Sequence, residues 1–204
     1  MINYSIDSRL RARNPADLFT FVPKYITVNK FTEESVKQFE TDFYDVVKAN
    51  QPVIPIVIDS YGGQVYSLLQ MLDTIRSVET PIVTILKGKG MSCGAFLFSC
   101  GTEGYRFMAP NSTMMIHDVS SFSFGKVGEI KADAKEVDRL NLKLYEMMAE
   151  NVGQPKDYFM KLVHEEHGHA DWYLTPQDAL KHNLANHIKL PKFDVEVSVN
   201  FNFK

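Results

Sequence analysis

The chain has 204 residues, of which 45% are hydrophobic and 12% are aromatic. A chain of this length and composition can bury a sizeable core, and we expect one globular domain. The formal net charge of −3 provides no broad cationic field. This argues against nucleic acid as the main partner, although a local basic patch would escape the argument.

Nothing in the sequence predicts export or a membrane. The first 19 residues lack the apolar centre of a signal peptide, and the longest aliphatic run, VIPIVI, is too short to span a bilayer. Cys93 and Cys100 lie seven positions apart on one predicted helix, too far along its axis for a disulfide. Free thiols fit a reducing compartment, so we expect a cytoplasmic protein.

The chain begins with a predicted βαβ unit. Apolar runs rich in β-branched residues predict strands at 21–28 and 52–60. Between them, residues 31–50 have the periodicity of an amphipathic helix, with a Thr-x-x-Glu-like start at Thr32. A strand, a helix and a second strand in this order are typical of a parallel sheet.

The same alternation continues downstream. A helix is predicted at 62–78, a strand at 81–88 and a nearly all-apolar helix at 93–101, which must be buried. Two strands, YRFMAP and STMMIHD, precede a long helix at about 127–150. A mostly parallel α/β sheet follows, with ligands expected where strand ends meet helix starts. Apolar residues of the long helix recur at steps of three and four, at Val127, Ile130, Ala134, Val137, Leu140, Leu144 and Met148.

Ser92 lies in the pattern Gly90-Met91-Ser92-Cys93-Gly94, between a predicted strand and a predicted helix. The glycines allow a turn tight enough to project Oγ, and the helix N-terminus supplies N–H groups to a developing oxyanion. Small residues also occur wherever a helix packs closely on a sheet. The pattern alone therefore leaves a catalytic and a structural interpretation open.

A serine nucleophile needs a base, and His117 at the end of TMMI is the candidate. Asp171 is the candidate acid that would orient the imidazole. Each also has a plain interpretation, as a histidine at a strand end and as an acid on the surface or at the start of a helix. Gly62 and Gly63, which follow a strand and open a helix, could place a second oxyanion donor or form a simple turn.

Together these segments resemble the proteolytic subunit of the Clp protease, a serine peptidase of crotonase-like fold. The likeness extends over about residues 25–190. The family has one signature around its nucleophile and one around its histidine, and both occur here in register without a gap. The matching positions are Thr84, Gly88, Ser92, Gly94 and Ala95 in the nucleophile signature, and Arg106, Pro110, Asn111, Ser112, Met115, Ile116 and His117 in the histidine signature.

The resemblance implies an α/β, crotonase-like Clp protease fold of βαβ units with a protruding strand-helix handle. It implies one domain over 1–204, with an N-terminal segment at 1–24, the handle at 118–150 and a C-terminal tail at 190–204. GEIKADAKEV resembles the start of the handle helix.

The function implied is that of a serine endopeptidase that hydrolyses unfolded polypeptides. Ser92 would be the nucleophile, His117 the base and Asp171 its orienting acid. The N–H groups of Gly63 and Cys93 would form the oxyanion hole. The family assembles as stacked seven-membered rings around a chamber, fed by an ATP-dependent unfoldase, so a homo-oligomer is expected and no bound cofactor.

Several alternatives stay open. The chain could be a catalytically weak or inactive Clp-like scaffold, or a specialised processing peptidase such as a viral one. An α/β-hydrolase esterase would use Asp171 with His187 and would leave the His117 signature unexplained. Cys93, beside Ser92, could be the true nucleophile, but its position one residue into the helix favours a buried structural thiol.

The sequence departs from the family pattern in several places. The usual His-Gln-Pro is His117-Asp118-Val119, and the interval to Asp171 contains extra residues near HEEHGH. The glycine-rich handle strand is replaced by SSFSFGKVG, whose two phenylalanines could contact another ring or pack within one chain. Lys87, Gly90, Met91 and Cys93 also differ from the residues usual in the family.

The run HEEHGH, residues 164–169, has the composition of a metal site. His164 and His167, however, are three positions apart rather than four, and no third ligand is evident in the sequence. We therefore expect a solvated polar connection and no metal.

Overall fold

A computed structural model describes residues 23–192 of the chain. The tail predicted at 190–204, apart from its first three residues, lies outside this range, as does nearly all of the N-terminal segment predicted at 1–24.

The first βαβ unit is present, although its first strand begins at Ile26, and residues 23–25, which were predicted to belong to that strand, precede it. It consists of β1 (Ile26–Val28), α1 (Glu33–Lys48) and β2 (Ile54–Ser60). Helix α1 is capped at Thr32, whose Oγ1 accepts the N–H of Ser35 at 3.1 Å while Ser35 Oγ accepts the N–H of Thr32 at 2.9 Å. The reciprocal cap is thus completed by a serine, not by the glutamate-like partner that the sequence suggested.

The elements up to the long helix follow the predicted order, and the elements after that helix were not predicted. The strand predicted at 81–88 extends three residues further, to the residue before Ser92. The elements are α2 (Val65–Arg76), β3 (Ile82–Met91), α3 (Cys93–Ser99), β4 (Arg106–Met108), β5 (Thr113–Ile116), α4 (Val127–Asn151), α5 (Tyr158–Lys161), a π-helical turn (Leu162–Glu166), β6 (Trp172–Leu174), α6 (Pro176–Lys181) and β7 (His187–Ile188).

Seven strands of the described residues form one mostly parallel sheet, which confirms the predicted class. The main order is β1-β2-β3-β4-β7. Strand β3 is long enough to pair with two parallel neighbours, β4 in its middle and β5 at its end, where Met91 lies opposite Met115. Strand β6 pairs antiparallel with β5 and places Trp172 opposite Ile116. The end of β3, the end of β5 and the start of β6 therefore meet at one edge.

The core lies mainly on one face of this sheet. Alternate residues of β2, Ile54, Ile56 and Ile58, point into the main apolar cluster with residues of α1, α2 and α3. A smaller cluster around Val83 and Ile85 covers part of the opposite face. All seven residues of α3 are buried, as its nearly continuous apolar sequence predicted.

Helix α4 is buried only in its C-terminal half. Its inward residues from Leu140 onward are buried, whereas Val127 and Ile130 are exposed. The connection 117–126 before it contains no strand, and within residues 23–192 no strand pairs with it. Phe122 and Phe124 are 92% and 93% exposed, so the interpretation that they pack within one chain is wrong.

Arg106 is the largest fully buried side chain of the described residues. Its Nε donates to the Leu184 carbonyl at 3.0 Å, and Nη1 donates to the Gly101 carbonyl at 2.9 Å. Nη2 donates to the Asn183 carbonyl at 3.0 Å and to the exposed carboxylate of Glu103 at 2.5 Å. One planar cation thus joins β4 to the turns that precede β4 and β7.

Replacement of this cation should destabilise the fold strongly. Arg106→Met would leave two buried carbonyl groups and one partly buried carbonyl group without this donor, and we expect a loss of about 3–5 kcal/mol in the free energy of unfolding. The midpoint of urea unfolding measures the effect. Arg139→Met, which removes an exposed cation of α4, should unfold close to the wild-type midpoint. Equal midpoints for the two variants would contradict this account.

Candidate active site

Ser92 occupies the sharp turn between β3 and α3. Its backbone has φ 54° and ψ −122°, a conformation that non-glycine residues rarely adopt. The N–H of Ser92 donates to the Met115 carbonyl at 2.9 Å, and its own carbonyl accepts the first hydrogen bonds of α3. This strand-turn-helix geometry is the one in which a Gly-x-Ser-x-Gly serine projects its hydroxyl.

Gly62 packs directly against this turn. A Cβ atom at residue 62 would lie 2.7 Å from Cβ and 3.2 Å from Oγ of Ser92. The N–H of Gly62 donates to Ser60 Oγ at 3.1 Å, so this amide is already satisfied. Only glycine allows the backbone after β2 to approach the serine so closely.

His117 and Asp171 are brought together by the pairing of β5 with β6. Because Ile116 lies opposite Trp172, the next residue of one strand faces the preceding residue of the other. His117 Nδ1 lies 3.2 Å from Asp171 Oδ1, with both side chains partly exposed. A proton on Nδ1 would leave Nε2 free to accept one, which is the tautomer that a general base needs. No hydrogen bond joins Ser92 Oγ to His117 in the single chain.

The two candidate oxyanion donors lie on adjacent segments. Cys93 is the first residue of α3, and Gly63 lies in the turn after β2. No hydrogen-bond partner for either N–H group is found within residues 23–192. The Cys93 thiol donates to the Gly63 carbonyl at 3.3 Å and so ties the two segments together. At residue 63 a Cβ would lie 2.5 Å from the Phe31 carbonyl oxygen, which requires glycine.

Cys93 does not have the character of a nucleophile. Its side chain is buried, and burial raises the pKa of the thiol to about 11, more than its hydrogen-bond partners lower it. The thiolate is the reactive form of cysteine, so this thiol is nearly inert at neutral pH. The structure thus favours Ser92 over Cys93.

The residues of the esterase alternative do not come together. His187 stacks on Phe107 with 4.6 Å between ring centroids, and its Nε2 lies 3.0 Å from the Gly104 carbonyl. Strand β7, which carries His187, pairs with β4 rather than with β5 or β6. Asp171 instead contacts His117, so the α/β-hydrolase arrangement of Asp171 with His187 is not formed.

A polar cluster next to the candidate site was not anticipated from the sequence. Asp118 Oδ1 lies 2.9 Å from His164 Nε2, and Asp118 Oδ2 lies 3.2 Å from His169 Nδ1. His167 instead stacks on Trp172, with 5.0 Å between the ring centroids. The available signal was the replacement of the usual glutamine after the histidine by Asp118, but no local pattern connects that position to the loop at 164–169.

The family model for Clp protease matches residues 28–191. This range includes most of the chain and all the elements of the site. The chain therefore belongs to the Clp protease family, and its α/β sheet agrees with the fold of that family, as the signatures predicted. Membership supports a Clp-type serine peptidase, and proteins of this family generally form oligomeric rings and act on polypeptides.

None of the helices within residues 23–192 combines the length and the apolar character that crossing a bilayer requires.

Alkylation tests whether the thiol of Cys93, the neighbour of Ser92, is reactive. With a pKa of about 11, Cys93 would carry about two hundredfold less thiolate at pH 8 than an ordinary cysteine. We expect slow reaction with iodoacetamide in the folded protein, rising about tenfold per pH unit up to pH 10. Mass spectrometry of the Cys93 peptide measures the rate, with urea-unfolded protein as the fast reference. Rapid modification of folded protein at pH 7 would show that the thiol is activated.

Proposed function

We propose that this chain is a serine endopeptidase that hydrolyses peptide bonds of unfolded polypeptides. The observation that carries the proposal is the meeting of three strand ends at one edge of the sheet. It places the strained turn of Ser92 beside β5 and sets His117 Nδ1 3.2 Å from Asp171 Oδ1. A hydroxyl, an imidazole and a carboxylate on such a scaffold favour acyl transfer.

In the proposed reaction Ser92 Oγ attacks the carbonyl carbon of the scissile peptide. His117 Nε2 takes the serine proton, while Asp171 holds Nδ1–H and stabilises the imidazolium that forms. The negative charge that develops on the carbonyl oxygen is bound by the N–H groups of Gly63 and Cys93. His117 then donates its proton to the leaving amine as the C–N bond breaks.

Water completes the cycle. His117 removes a proton from a water molecule, which attacks the acyl carbon attached to Ser92 Oγ. The same N–H groups of Gly63 and Cys93 bind the second oxyanion. Collapse of this intermediate returns the proton from His117 to Ser92 and releases the new carboxyl terminus. The side chains of Ser92, His117 and Asp171, two backbone N–H groups and water supply every group that these steps require, so the proposal includes no cofactor.

The active form is proposed to be an oligomer that encloses these sites. The N-terminal half of α4 exposes Val127 and Ile130, and the exposed Phe122 and Phe124 precede it in a segment that pairs with no strand of residues 23–192. A second copy of the same surface would cover these apolar side chains in a symmetric contact. By family likeness we propose stacked seven-membered rings, with residues 118–150 as the handle between them.

The wider context of this activity rests on the family resemblance. We propose one Clp-protease-like domain over residues 1–204, a cytoplasmic location and polypeptide delivery by an ATP-dependent unfoldase. The missing hydrogen bond between Ser92 and His117 in the single chain favours an enzyme that becomes active on assembly, since catalytic hydrogen bonds often tighten only in the working complex. A scaffold subunit and a specialised processing peptidase are the competing functions.

Covalent labelling with a fluorophosphonate tests the proposed nucleophile. We expect wild-type protein to be labelled on Ser92, and Ser92→Ala and His117→Ala to lose labelling by a factor on the order of 10³ or more. Asp171→Asn should lose a large part of the rate, because the imidazole loses its preferred tautomer. Ser120→Ala, at an exposed serine of the connection before α4, is the matched control and should label normally. Labelling of Ser92→Ala at the wild-type rate would refute the assignment.

Native mass spectrometry tests the proposed handle contact. Phe122→Asp combined with Phe124→Asp places two charges on the surface that a second ring would bury, so we expect stacked rings to separate into single rings or smaller species. Phe122→Leu with Phe124→Leu keeps an apolar surface and should keep the wild-type mass. An unchanged mass for the aspartate pair would exclude these side chains from the contact.

A further inference from the structure

The side chains of Asp118, His164 and His169 form a cluster beside the candidate triad and have no part in the proposed hydrolysis. Asp118 Oδ1 contacts His164 Nε2 at 2.9 Å, and Asp118 Oδ2 contacts His169 Nδ1 at 3.2 Å. The hydroxyl of Tyr145, on α4, donates to Asp118 Oδ1 at 2.9 Å. The three candidate ligand atoms all lie within 4.8 Å of one another.

The loop after α5 is folded so that two of its histidines face the same carboxylate. The π-helical turn Leu162–Glu166 places His164 toward Asp118. His169 adopts a left-handed backbone, φ 62°, and its N–H returns to the Val163 carbonyl at 2.9 Å. The two imidazole rings consequently stack with 4.0 Å between centroids. His167, between them in sequence, is turned away onto Trp172.

We propose that Asp118, His164 and His169 bind one divalent transition-metal ion of the zinc class. Two imidazole nitrogens and one carboxylate oxygen are a ligand set that suits such ions and not calcium or magnesium. A tetrahedral zinc ion with bonds of about 2.0–2.2 Å separates its ligand atoms by roughly 3.4 Å. The contacts of 2.9 and 3.2 Å are made by the two different oxygens of Asp118, and each residue offers one ligand atom within 4.8 Å of the other two. Side-chain shifts would bring one carboxylate oxygen and the two nitrogens to the tetrahedral spacing.

The surroundings of Asp118 suit a metal ligand. The hydroxyl of Tyr145, a buried residue of α4, donates to Asp118 Oδ1 at 2.9 Å. Such an outer hydrogen bond orients a ligating carboxylate.

The cluster also has room for a ligand from solvent. His169 is 62% exposed at its side chain, and Asp118 and His164 are partly exposed. Three protein ligands and an open fourth position accessible to water are the arrangement in which a bound ion can enter and exchange. From the sequence we expected no metal at HEEHGH, because no third ligand was evident there. The structure supplies Asp118 as that third candidate ligand.

A metal ion here would join the two segments that carry His117 and Asp171. Asp118 directly follows His117 in sequence, and His169 lies two residues before Asp171. The ion would therefore hold the end of β5 against the chain that enters β6. Its role is to position these segments, and it would not touch the reacting atoms. Its binding does not depend on the proposed peptidase activity, because the chain can hold the ion whether or not it cleaves peptides.

The test is metal binding by the full chain, freed of metal with a chelator and then titrated with Co²⁺ and with Zn²⁺. We expect one ion per chain by calorimetry and elemental analysis, and visible d–d absorption from bound Co²⁺. His169→Gln and Asp118→Asn should weaken binding at least about a hundredfold. His167→Gln, in the same loop but outside the cluster, is the matched control and should bind like wild type.

Two further measurements locate the ion and its effect. His117→Gln should retain binding, which separates the cluster from the neighbouring pair His117 and Asp171. Saturating Zn²⁺ should raise the thermal unfolding temperature of wild type and of His167→Gln by several degrees, and leave that of His169→Gln unchanged.

The proposal is overturned if wild type binds less than one ion per chain at micromolar metal, which would leave a cluster held by hydrogen bonds alone. It is equally overturned if His169→Gln binds as tightly as wild type, or if His117→Gln alone abolishes binding. His169 is exposed, so its glutamine variant should fold, and circular dichroism verifies this. The decision therefore does not depend on the more buried Asp118 variant.

Discussion

The pairing of β3 with two different parallel neighbours is the constraint on which the candidate site depends. The strand runs beside β4 and then beside β5, and Ser92 follows its last residue, held by the Met115 carbonyl at 2.9 Å. This contact fixes the position of Ser92 along the strand direction relative to the end of β5. The antiparallel partner β6 then brings Asp171 to His117. A slip of one residue in either pairing would turn these side chains to opposite faces of the sheet.

The strained backbone at Ser92 persists because its surroundings leave it no alternative. Helix α3 is buried along its whole length, and Gly62 fills the space on the other side of the turn. A left-handed serine costs on the order of 1–3 kcal/mol and is retained only where packing determines it from several directions. Elsewhere in the sheet, the buried cation of Arg106 fixes β4 against the turns that precede β4 and β7.

Two departures from the family pattern meet in space. Asp118 stands where family members usually have glutamine, and the added residues of HEEHGH lie more than 40 positions downstream, yet Asp118 contacts both His164 and His169. Single changes of this kind would each leave a polar group to be satisfied. Together they form one cluster that connects the segments of His117 and Asp171. Two departures from the family pattern that are far apart in sequence thus form one polar cluster beside the candidate site.

Local patterns in the sequence were sufficient for the order of the elements from β1 to α4, the parallel α/β class and the buried α3, and they supplied the hypothesis of the candidate triad. Hydrophobic periodicity, the glycines around Ser92 and the family signatures all act over short stretches of chain. Tertiary structure alone decided the exposure of Phe122 and Phe124 and the cluster of Asp118 with the two histidines. Asp118 contacts His164 and His169, which lie 46 and 51 positions further along the chain. Such contacts depend on how strands pair and how loops connect them, and no local propensity encodes that arrangement.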